Sequence, residues 1–465
     1  MRKNLAMKPN QILLVAVAFI LFSCFEEEED PLIACFELNA ESIKVGELLT
    51  ITDCSEGAES YIYDFGSPSI TELSEPNPTV YFSQSGEFTI TQKVRGAGKF
   101  SQSEKTIIVE DFMDGFLHPE VADDWNTYSI GFYYLNGHFY YLLKIWPQSG
   151  TIYWSITKID DKMEEVASTL IPIDGKYPNR SFIEQLPSGG IRVNAFEQKA
   201  LDYNLGYRET IFDANLNLLS STQSEDFWLG SIENSTVYYG ASVPDGPYLP
   251  TLSIRDENNA EIDQKVYDEL PYGVIGGVIK TSSGFLAFGG SYESSDRSKL
   301  TNYKPMLLTL DHEYNIVSSQ FYDSFEYSNM GYSKLSGPYR IKALDNGNYV
   351  LYSHGNIQIV DPSGKELKLI ATENKQSLNS IIPITGGFIA SDLWQIVKYD
   401  YDGNELKTID VENSGISNFI EKEGIIYFFT TSPSECIELD GGGCISYDRP
   451  LMGAFDSDLV PVAIQ

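Results

Sequence analysis

The chain has 465 residues, with 66 acidic and 32 basic side chains and a formal net charge of −34. Such a charge repels phosphate backbones, which argues against nucleic acid as a partner. A hydrophobic content of 42% is too high for a disordered protein. The many aromatic residues, 30 Tyr and 25 Phe among them, favour all-β structure.

The N-terminus has the order of a secretory signal. Basic residues at positions 2, 3 and 8 precede an apolar run over 12–22. That run is too short to span a bilayer, which takes about 20 residues. The sequence Leu-Phe-Ser-Cys at 21–24 resembles a bacterial lipobox, which implies that 1–23 is a signal peptide and that a lipid on Cys24 anchors the chain to a membrane. The alternative is an ordinary signal peptide cleaved nearby, with Cys24 an incidental thiol.

Residues 24–32 form an acidic tether. Five consecutive acidic residues, 26–30, resemble the tag that some gram-negative bacteria place after the lipidated cysteine for export to the outer surface. The resemblance implies an outer membrane lipoprotein that faces the cell surface. A plain solvated tether, with the protein facing the periplasm, is the alternative, because a block of like charge repels itself and stays extended.

The other four cysteines fall into two pairs that are close in sequence. Cys35 and Cys54 lie in a small N-terminal module, and Cys436 and Cys444 lie in one C-terminal loop. An oxidising destination permits both pairs to be disulfides. Free buried thiols or a metal site are the alternatives, although none of the four histidines is spaced near a cysteine as zinc sites usually require.

The module at 33–110 reads as a β-sandwich of about seven short strands, from its alternating apolar residues and its glycine turns. Five of its segments occur in the order found in PKD domains: 45–47, 53–55, 60–66, 76–78 and 86–90. The module thus resembles that immunoglobulin-like family, which implies a spacer or weak binding unit. Tyr63 stands where the family has Trp, and Ser67-Pro68 replaces Asp-Gly. We expect Tyr63 to fill the same core position.

The remaining residues, 115–465, contain one unit that recurs seven times at intervals of 39 to 56 residues. Each copy has an aspartate and, six positions later, an aliphatic residue. A turn motif rich in Gly or Asn precedes each aspartate. The aspartates are Asp160, Asp213, Asp256, Asp311, Asp361, Asp400 and Asp456. Two hairpins per unit at this period predict four-stranded blades and therefore a β-propeller, with seven blades; six or eight are the alternatives.

The blade pattern separates two faces. If the Gly motifs join strands one and two and the Asp motifs join strands three and four, all tight turns share one face. The loops between strands two and three then lie on the other face and vary in length: 146–150, 198–207, 243–250, 291–304, 353–356, 392–394 and 432–449. Loops of this kind usually carry binding sites. Their candidate ligand-binding aromatics are Trp146, Tyr203, Tyr207, Tyr248, Tyr303 and Trp394. The alternative is that these rings pack the loops against the blades.

No catalytic motif is found. The sequence lacks Gly-x-Ser-x-Gly and His-Glu-x-x-His, and 66 acidic residues make chance carboxylate pairs inevitable. Residues 400–405 suggest a calcium loop, but the glycine is fourth instead of sixth, so a hairpin turn explains them better. We expect no catalytic residue, cofactor or metal.

The sequence therefore predicts a lipid-anchored surface protein that binds an extracellular glycan or a partner protein of the envelope without catalysis. The first alternative is a propeller-type polysaccharide hydrolase or lyase. The second is a structural envelope subunit. Since the last repeat ends near the C-terminus, closure of the ring by an N-terminal strand is not evident from the sequence.

Overall fold

The structure of the protein is a computed structural model. It describes residues 31–67, 70–82, 84–110, 114–115, 125–147, 152–160, 164–173, 176–199, 205–224, 227–232, 237–242, 248–256, 260–293, 303–322, 339–353, 356–371, 380–391, 395–411, 416, 418–433, 437–438, 444–445 and 448–462. These residues are all-β, with no helix among them. Accordingly, no helix of the described part is long and apolar enough to cross a membrane. The chain divides into two compact units, and the boundary falls after Glu110.

The first unit has two antiparallel sheets. Its strands are β1 (Phe36–Leu38), β2 (Ser42–Lys44), β3 (Leu48–Asp53), β4 (Ser60–Asp64), β5 (Thr79–Tyr81), β6 (Gly86–Gly96) and β7 (Lys99–Glu110). One sheet has the order β1-β3-β5 and the other β2-β7-β6-β4. Phe36 of the first sheet meets Tyr63 of the second edge to face at 5.9 Å, so the sheets share a core.

Tyr63 occupies the core position that the sequence predicted for it. Its side chain is fully buried. Its hydroxyl donates to the carbonyl of Pro76 at 3.0 Å and accepts from Gln92 Nε2 at 2.7 Å. Burial raises the pKa of Tyr63 to about 12. A tyrosine can replace the larger indole here because its polar tip finds partners inside the core.

The predicted disulfide between Cys35 and Cys54 is confirmed. It joins the end of β3 to the segment before β1, across a sequence separation of 19 residues. The proposed pair Cys436–Cys444 stays a prediction, because position 436 lies outside the described residues.

The described residues of the second unit begin with β8 (Asp114–Gly115) and form seven antiparallel sheets of four strands, the last of which includes β8. The first two sheets contain β9 (Trp125–Leu135), β10 (His138–Pro147), β11 (Ile152–Ile159), β12 (Glu165–Ile173), β13 (Lys176–Gln185), β14 (Ile191–Lys199), β15 (Leu205–Phe212) and β16 (Leu218–Ser224). The third and fourth contain β17 (Phe227–Ser231), β18 (Val237–Ser242), β19 (Leu249–Arg255), β20 (Glu261–Val266), β21 (Tyr272–Thr281), β22 (Gly284–Tyr292), β23 (Lys304–Leu310) and β24 (Ile316–Phe321).

The fifth and sixth sheets contain β25 (Arg340–Ala343), β26 (Tyr349–Ser353), β27 (Asn356–Val360), β28 (Glu366–Ala371), β29 (Ser380–Ile384), β30 (Gly387–Ser391), β31 (Gln395–Asp400) and β32 (Glu405–Asp410). The last residues form β33 (Ile420–Lys422), β34 (Ile425–Pro433), a small pair of β35 (Ile437–Glu438) with β36 (Cys444–Ile445), and β37 (Asp448–Phe455). In the first six sheets the four strands follow each other in chain order, which is the meander of a propeller blade.

The seventh sheet is completed from the N-terminal side of the unit, in the order β33-β34-β37-β8. β8 pairs with Leu451 and Met452 of β37. The C-terminal segment returns beside the other end of β37, where the Val462 N–H donates to the Ala454 carbonyl at 2.9 Å. An N-terminal strand thus takes part in the last sheet, which corrects the sequence-based view that the outer strand is C-terminal alone.

The sheets follow one another in a ring, so the second unit has a β-propeller fold. Each sheet buries its faces against its neighbours. The seventh sheet packs on the first. Phe429 stacks on Tyr141, with 4.8 Å between ring centroids, and on Phe132, with 5.7 Å between ring centroids. Aromatic residues fill this junction because flat rings cover the wide, slightly twisted faces of two sheets.

The repeated aspartates make one turn seven times, between the third strand of each sheet and the segment that follows it. In every copy the Asp N–H donates to the carbonyl four residues later, and the N–H of that later residue donates to Asp Oδ1. In three copies an Asn at that later position also donates its side-chain amide to Oδ2. The hairpin interpretation of 400–405 is therefore confirmed, since the Asp400 carboxylate is occupied by the turn.

Several of these turns form bonds with the preceding sheet. The Tyr267 hydroxyl donates to the Tyr314 carbonyl at 2.8 Å, and the Tyr322 hydroxyl donates to the Gly364 carbonyl at 2.7 Å. Both carbonyls belong to the third residue after a repeated aspartate. At another junction Lys398 pairs with Asp458 at 2.6 Å. The Asp turns therefore connect neighbouring sheets as well as neighbouring strands.

The aliphatic residue of each repeat is not part of the core. In six sheets it is the extra residue of a β-bulge at the start of the outermost strand, and its side chain is half to two thirds exposed. A bulge places two residues opposite one and shifts the alternation by one position. These residues are Val166, Leu219, Ile262, Val317, Leu367 and Leu406.

Replacing Cys35 and Cys54 together by serine should destabilise the first unit by about 3 kcal/mol, because the closed loop restricts the unfolded chain. Differential scanning calorimetry should show a lower transition temperature for this unit and an unchanged transition for the second unit, which serves as the internal control. Equal transitions in the variant and the parent protein would contradict the prediction.

Tyr322→Phe should destabilise the second unit by about 1 to 2 kcal/mol, because the buried Gly364 carbonyl loses its donor. Tyr349→Phe is the matched control, since the described residues give its hydroxyl no hydrogen bond. Urea unfolding of both variants measures the difference. A Tyr322→Phe protein as stable as the control would show that the junction does not depend on this bond.

The second unit should lose stability as the pH falls below about 4. The side-chain amide and the N–H of Asn315 lower the pKa of Asp311 below its ordinary value of 3.8, and Asn217 does the same for Asp213. A depressed folded-state pKa contributes stability above the unfolded value, and this contribution is lost as the pH falls through the folded value.

The triple variant Asn217→Ala, Asn315→Ala and Asn404→Ala should show a shallower decline of the urea midpoint between pH 6 and pH 3. Asn346→Ala, which changes an asparagine in a first-hairpin turn, is the control and should keep the parental slope. A triple variant with the full parental slope would exclude the Asp turns as the source of acid sensitivity.

Candidate functional site

The two predicted faces are confirmed for the described turns. The Gly motifs join strands one and two, as at Asn136-Gly137 between β9 and β10, where both residues have positive φ. The Asp turns join strands three and four. Both sets of tight turns therefore share one face of the ring. The ends of strands two and three that the longer connections join lie at the opposite face.

Four of the six predicted loop aromatics lie outside the described residues or at strand ends next to them. Tyr203 and Trp394 lie outside the described residues. Trp146 and Tyr207 belong to strands β10 and β15, at the ends that adjoin the loops. The role of these four residues in binding stays a prediction.

Tyr248 and Tyr303 are placed differently from the expectation for a binding surface. Their side chains are 2% and 8% exposed and belong to one hydrophobic cluster with Tyr292 and Tyr339. Tyr303 lies near Tyr339, with 6.5 Å between ring centroids. For these two residues the structure has the alternative arrangement, in which loop aromatics pack against the blades.

A buried charged network lies between the second and third sheets. Arg192 pairs with Glu184 at 3.2 Å and with Glu209 at 3.4 Å, and Arg255 pairs with Glu209 at 3.6 Å. Tyr238 donates to Glu184 and accepts from Arg192. Arg255 lies over the rings of Tyr238 and Trp228. The arginines and glutamates form ion pairs with one another. The network therefore joins two sheets and leaves no unpaired charge for a ligand.

A second polar group lies on the inner side of the ring. Arg340 is the first residue of β25, at the strand end that is opposite the tight turns. Its guanidinium donates to the Tyr339 carbonyl at 3.4 Å and to Asn418 Oδ1 at 3.5 Å. Asn418 precedes β33 of the seventh sheet, whereas Arg340 belongs to the fifth. The arginine side chain therefore reaches across the inside of the ring.

The charge of the same guanidinium acts on two tyrosines from other sheets. Tyr133 of β9 donates its hydroxyl to the Ser181 carbonyl on β13. Tyr239 of β18 extends over Gly230, where any side chain would collide with its phenol group. Burial raises the pKa of Tyr133 to about 12, and it also raises the pKa of Tyr239; the positive charge of Arg340 opposes both shifts. Both hydroxyls therefore stay protonated at neutral pH.

The five residues of this inner cluster, Tyr133, Ser181, Tyr239, Arg340 and Asn418, are all partly exposed. They come from the first, second, third, fifth and seventh sheets. Sequence patterns gave no sign of the cluster, because its members come from five sheets that are far apart in sequence. No group of three or more metal-binding side chains occurs in the described part of the chain.

No family model matches the sequence, and no curated protein matches it either. Among solved structures, a quinoprotein alcohol dehydrogenase-like protein from Bacteroides thetaiotaomicron is similar to this chain, with a TM-score of 0.41 and 14% identity over 80% of this chain and 93% of that chain. A protein of unknown function from Bacteroides caccae has a TM-score of 0.33 and 10% identity, over 70% of this chain and 93% of that one.

The WD40 domain of Neurospora crassa Pan2 is also similar, with a TM-score of 0.35 and 10% identity, over 67% of this chain and 83% of that domain. The propeller assignment of the second unit comes from its own strand order, with meandering four-stranded sheets arranged in a ring.

Proposed function

We propose that the protein is a surface-anchored lipoprotein that binds an extracellular glycan or a partner protein through the variable-loop face of a seven-bladed propeller, without catalysis. The observation that carries this proposal is the separation of the two faces. The seven Asp turns occupy one face, and the strand ends joined by the longer connections, such as the end of β14 and the start of β15, lie at the other. Variable loops on a rigid framework are a common form of binding site.

Other parts of the chain support the same arrangement. The seven sheets and the packing of the seventh on the first support a closed ring of seven blades. The sandwich of the first unit, with Tyr63 in its core, supports a PKD-like spacer. The disulfide Cys35–Cys54 suits an oxidising compartment outside the cytoplasm. A lipid on Cys24 would then hold the protein on the outer membrane, facing the cell surface.

Trp146→Ala and Trp394→Ala should each weaken polysaccharide binding at least about tenfold, because an aromatic ring at the centre of a contact often dominates its affinity. Native affinity electrophoresis in gels that contain starch, xylan, pectin or a sulfated algal polysaccharide measures the retardation. Tyr248→Phe and Tyr303→Phe are matched controls that keep the buried rings, so their retardation should equal that of the parent protein.

The outcomes separate the competing functions. Retardation that depends on the two tryptophans supports glycan binding. Release of oligosaccharides from any of the four polysaccharides would overturn the non-catalytic proposal in favour of a hydrolase or lyase. Absence of retardation in every gel, with co-purification of an envelope protein through the same loops, would favour the partner-protein form. Co-purification that survives changes in these loops would favour a structural subunit.

A further inference from the structure

The innermost strands of the ring reverse the charge balance of the chain. They are β9, β13, β17, β21, β25, β29 and β33, one from each sheet. They carry six basic residues, Lys176, Arg180, Lys280, Arg340, Lys342 and Lys422, and only two acidic ones, Glu184 and Glu421.

The outermost strands show the opposite balance. They carry three basic residues, Lys265, Lys368 and Lys407, against seven acidic ones, Asp114, Glu165, Glu261, Asp263, Glu366, Glu405 and Asp410. The chain as a whole has twice as many acidic as basic residues. The excess of basic residues is therefore specific to the innermost strands and does not reflect the composition of the whole chain.

Arg340 is the basic residue of the inner strands that has the most donors left for a ligand. Among the residues that the structure describes, no carboxylate lies within ion-pair distance of its guanidinium. Its partners are a carbonyl and an amide oxygen at 3.4 and 3.5 Å, which is long for a charge-assisted bond. A guanidinium has five N–H donors in a planar fork, so these two contacts leave donors for a further acceptor.

The inner cluster that contains Arg340 also contains neutral hydrogen-bond donors. The Tyr239 hydroxyl has no hydrogen bond among the described residues, and its proton is free to be donated. The Asn418 amide accepts from Arg340 through Oδ1, which leaves its nitrogen as a donor. The Tyr133 hydroxyl already donates to Ser181, so it can only accept. A cation with two neutral donors in its cluster, and with no described carboxylate within ion-pair distance, is a set of groups suited to an oxyanion.

We propose that the inside of the ring is an oxyanion-binding site, in which Arg340 binds the carboxylate or sulfate group of a small molecule and Tyr239 and Asn418 donate to the same group. Arg340 lies at the strand ends that adjoin the variable loops, but inside the ring, and the site does not depend on glycan binding by those loops. A carboxylate has two oxygens in a plane and matches the guanidinium fork, while a sulfate offers a comparable oxygen pair.

Isothermal titration calorimetry of the full chain with glucuronate, inorganic sulfate and glucose tests which kind of ligand binds. Glucuronate and sulfate should bind and compete with each other, and glucose should not bind. Binding of glucuronate without binding of sulfate narrows the site to carboxylates and still supports it. Binding of glucose as strong as that of glucuronate, or binding of neither anion, would overturn the proposal.

Arg340→Met should weaken glucuronate binding at least tenfold, and Arg340→Lys should retain part of it, because lysine keeps the charge but loses the fork. Tyr239→Phe should weaken binding several-fold. Lys365→Met is the matched control, since it removes one positive charge from an exposed Asp turn outside the inner strands. Equal weakening by Lys365→Met and Arg340→Met would show that only net charge matters and would overturn the site.

Two further readouts separate a local site from a structural role. Thermal unfolding without ligand should be similar for Tyr239→Phe and the parent protein, whereas stabilisation by glucuronate should be smaller in the variant. Retardation in the polysaccharide gels should be unchanged in Arg340→Met. Loss of gel retardation together with anion binding would mean that the two sites are one, which would contradict the proposal of a separate inner site.

Discussion

The five-residue Asp turn is the constraint on which the rest of the propeller depends. A single four-stranded sheet cannot bury both of its faces, so each sheet needs a neighbour on either side. The repeated aspartate fixes the turn with its own N–H and carboxylate, and the same two hydrogen bonds, one to a carbonyl and one to the carboxylate, occur in all seven copies. A turn of fixed shape presents its carbonyls at a fixed place, where Tyr267 and Tyr322 of preceding sheets reach them.

The same turn is also linked to the first hairpin of its sheet. Gly190, Gly284 and Gly387 begin second strands, and a side chain at any of them would collide with the carbonyl just before the repeated aspartate. The two repeated motifs of the sequence therefore meet in space within each of these sheets. This close backbone contact explains why glycine occurs at these three positions.

The turn-forming Gly and Asp motifs made the turns and the strand order predictable from the sequence. The order of motifs, Gly then Asp, fixed which strands pair and which face holds the tight turns. The exposure of individual side chains was less predictable. Side chains of a strand alternate between its two faces, and the bulge interrupts this alternation. Leu406 is exposed and its neighbour Lys407 is half-buried, which is the reverse of what hydrophobicity alone suggests. Tyr303 illustrates a second limit, since its burial is set by Tyr339 from the next sheet along the ring.

The inner cluster could not be predicted, because five sheets far apart in sequence each contribute one residue to it. Its chemistry is also consistent with so acidic a chain. Strands lie about 4.8 Å apart, so the acidic outermost strand of a sheet is about 14 Å from the innermost one. At physiological ionic strength the Debye length is about 8 Å, so charges beyond that distance are largely screened. An anion inside the ring therefore responds mainly to Arg340 and its neighbours, and the net charge of −34 has little effect on that local balance.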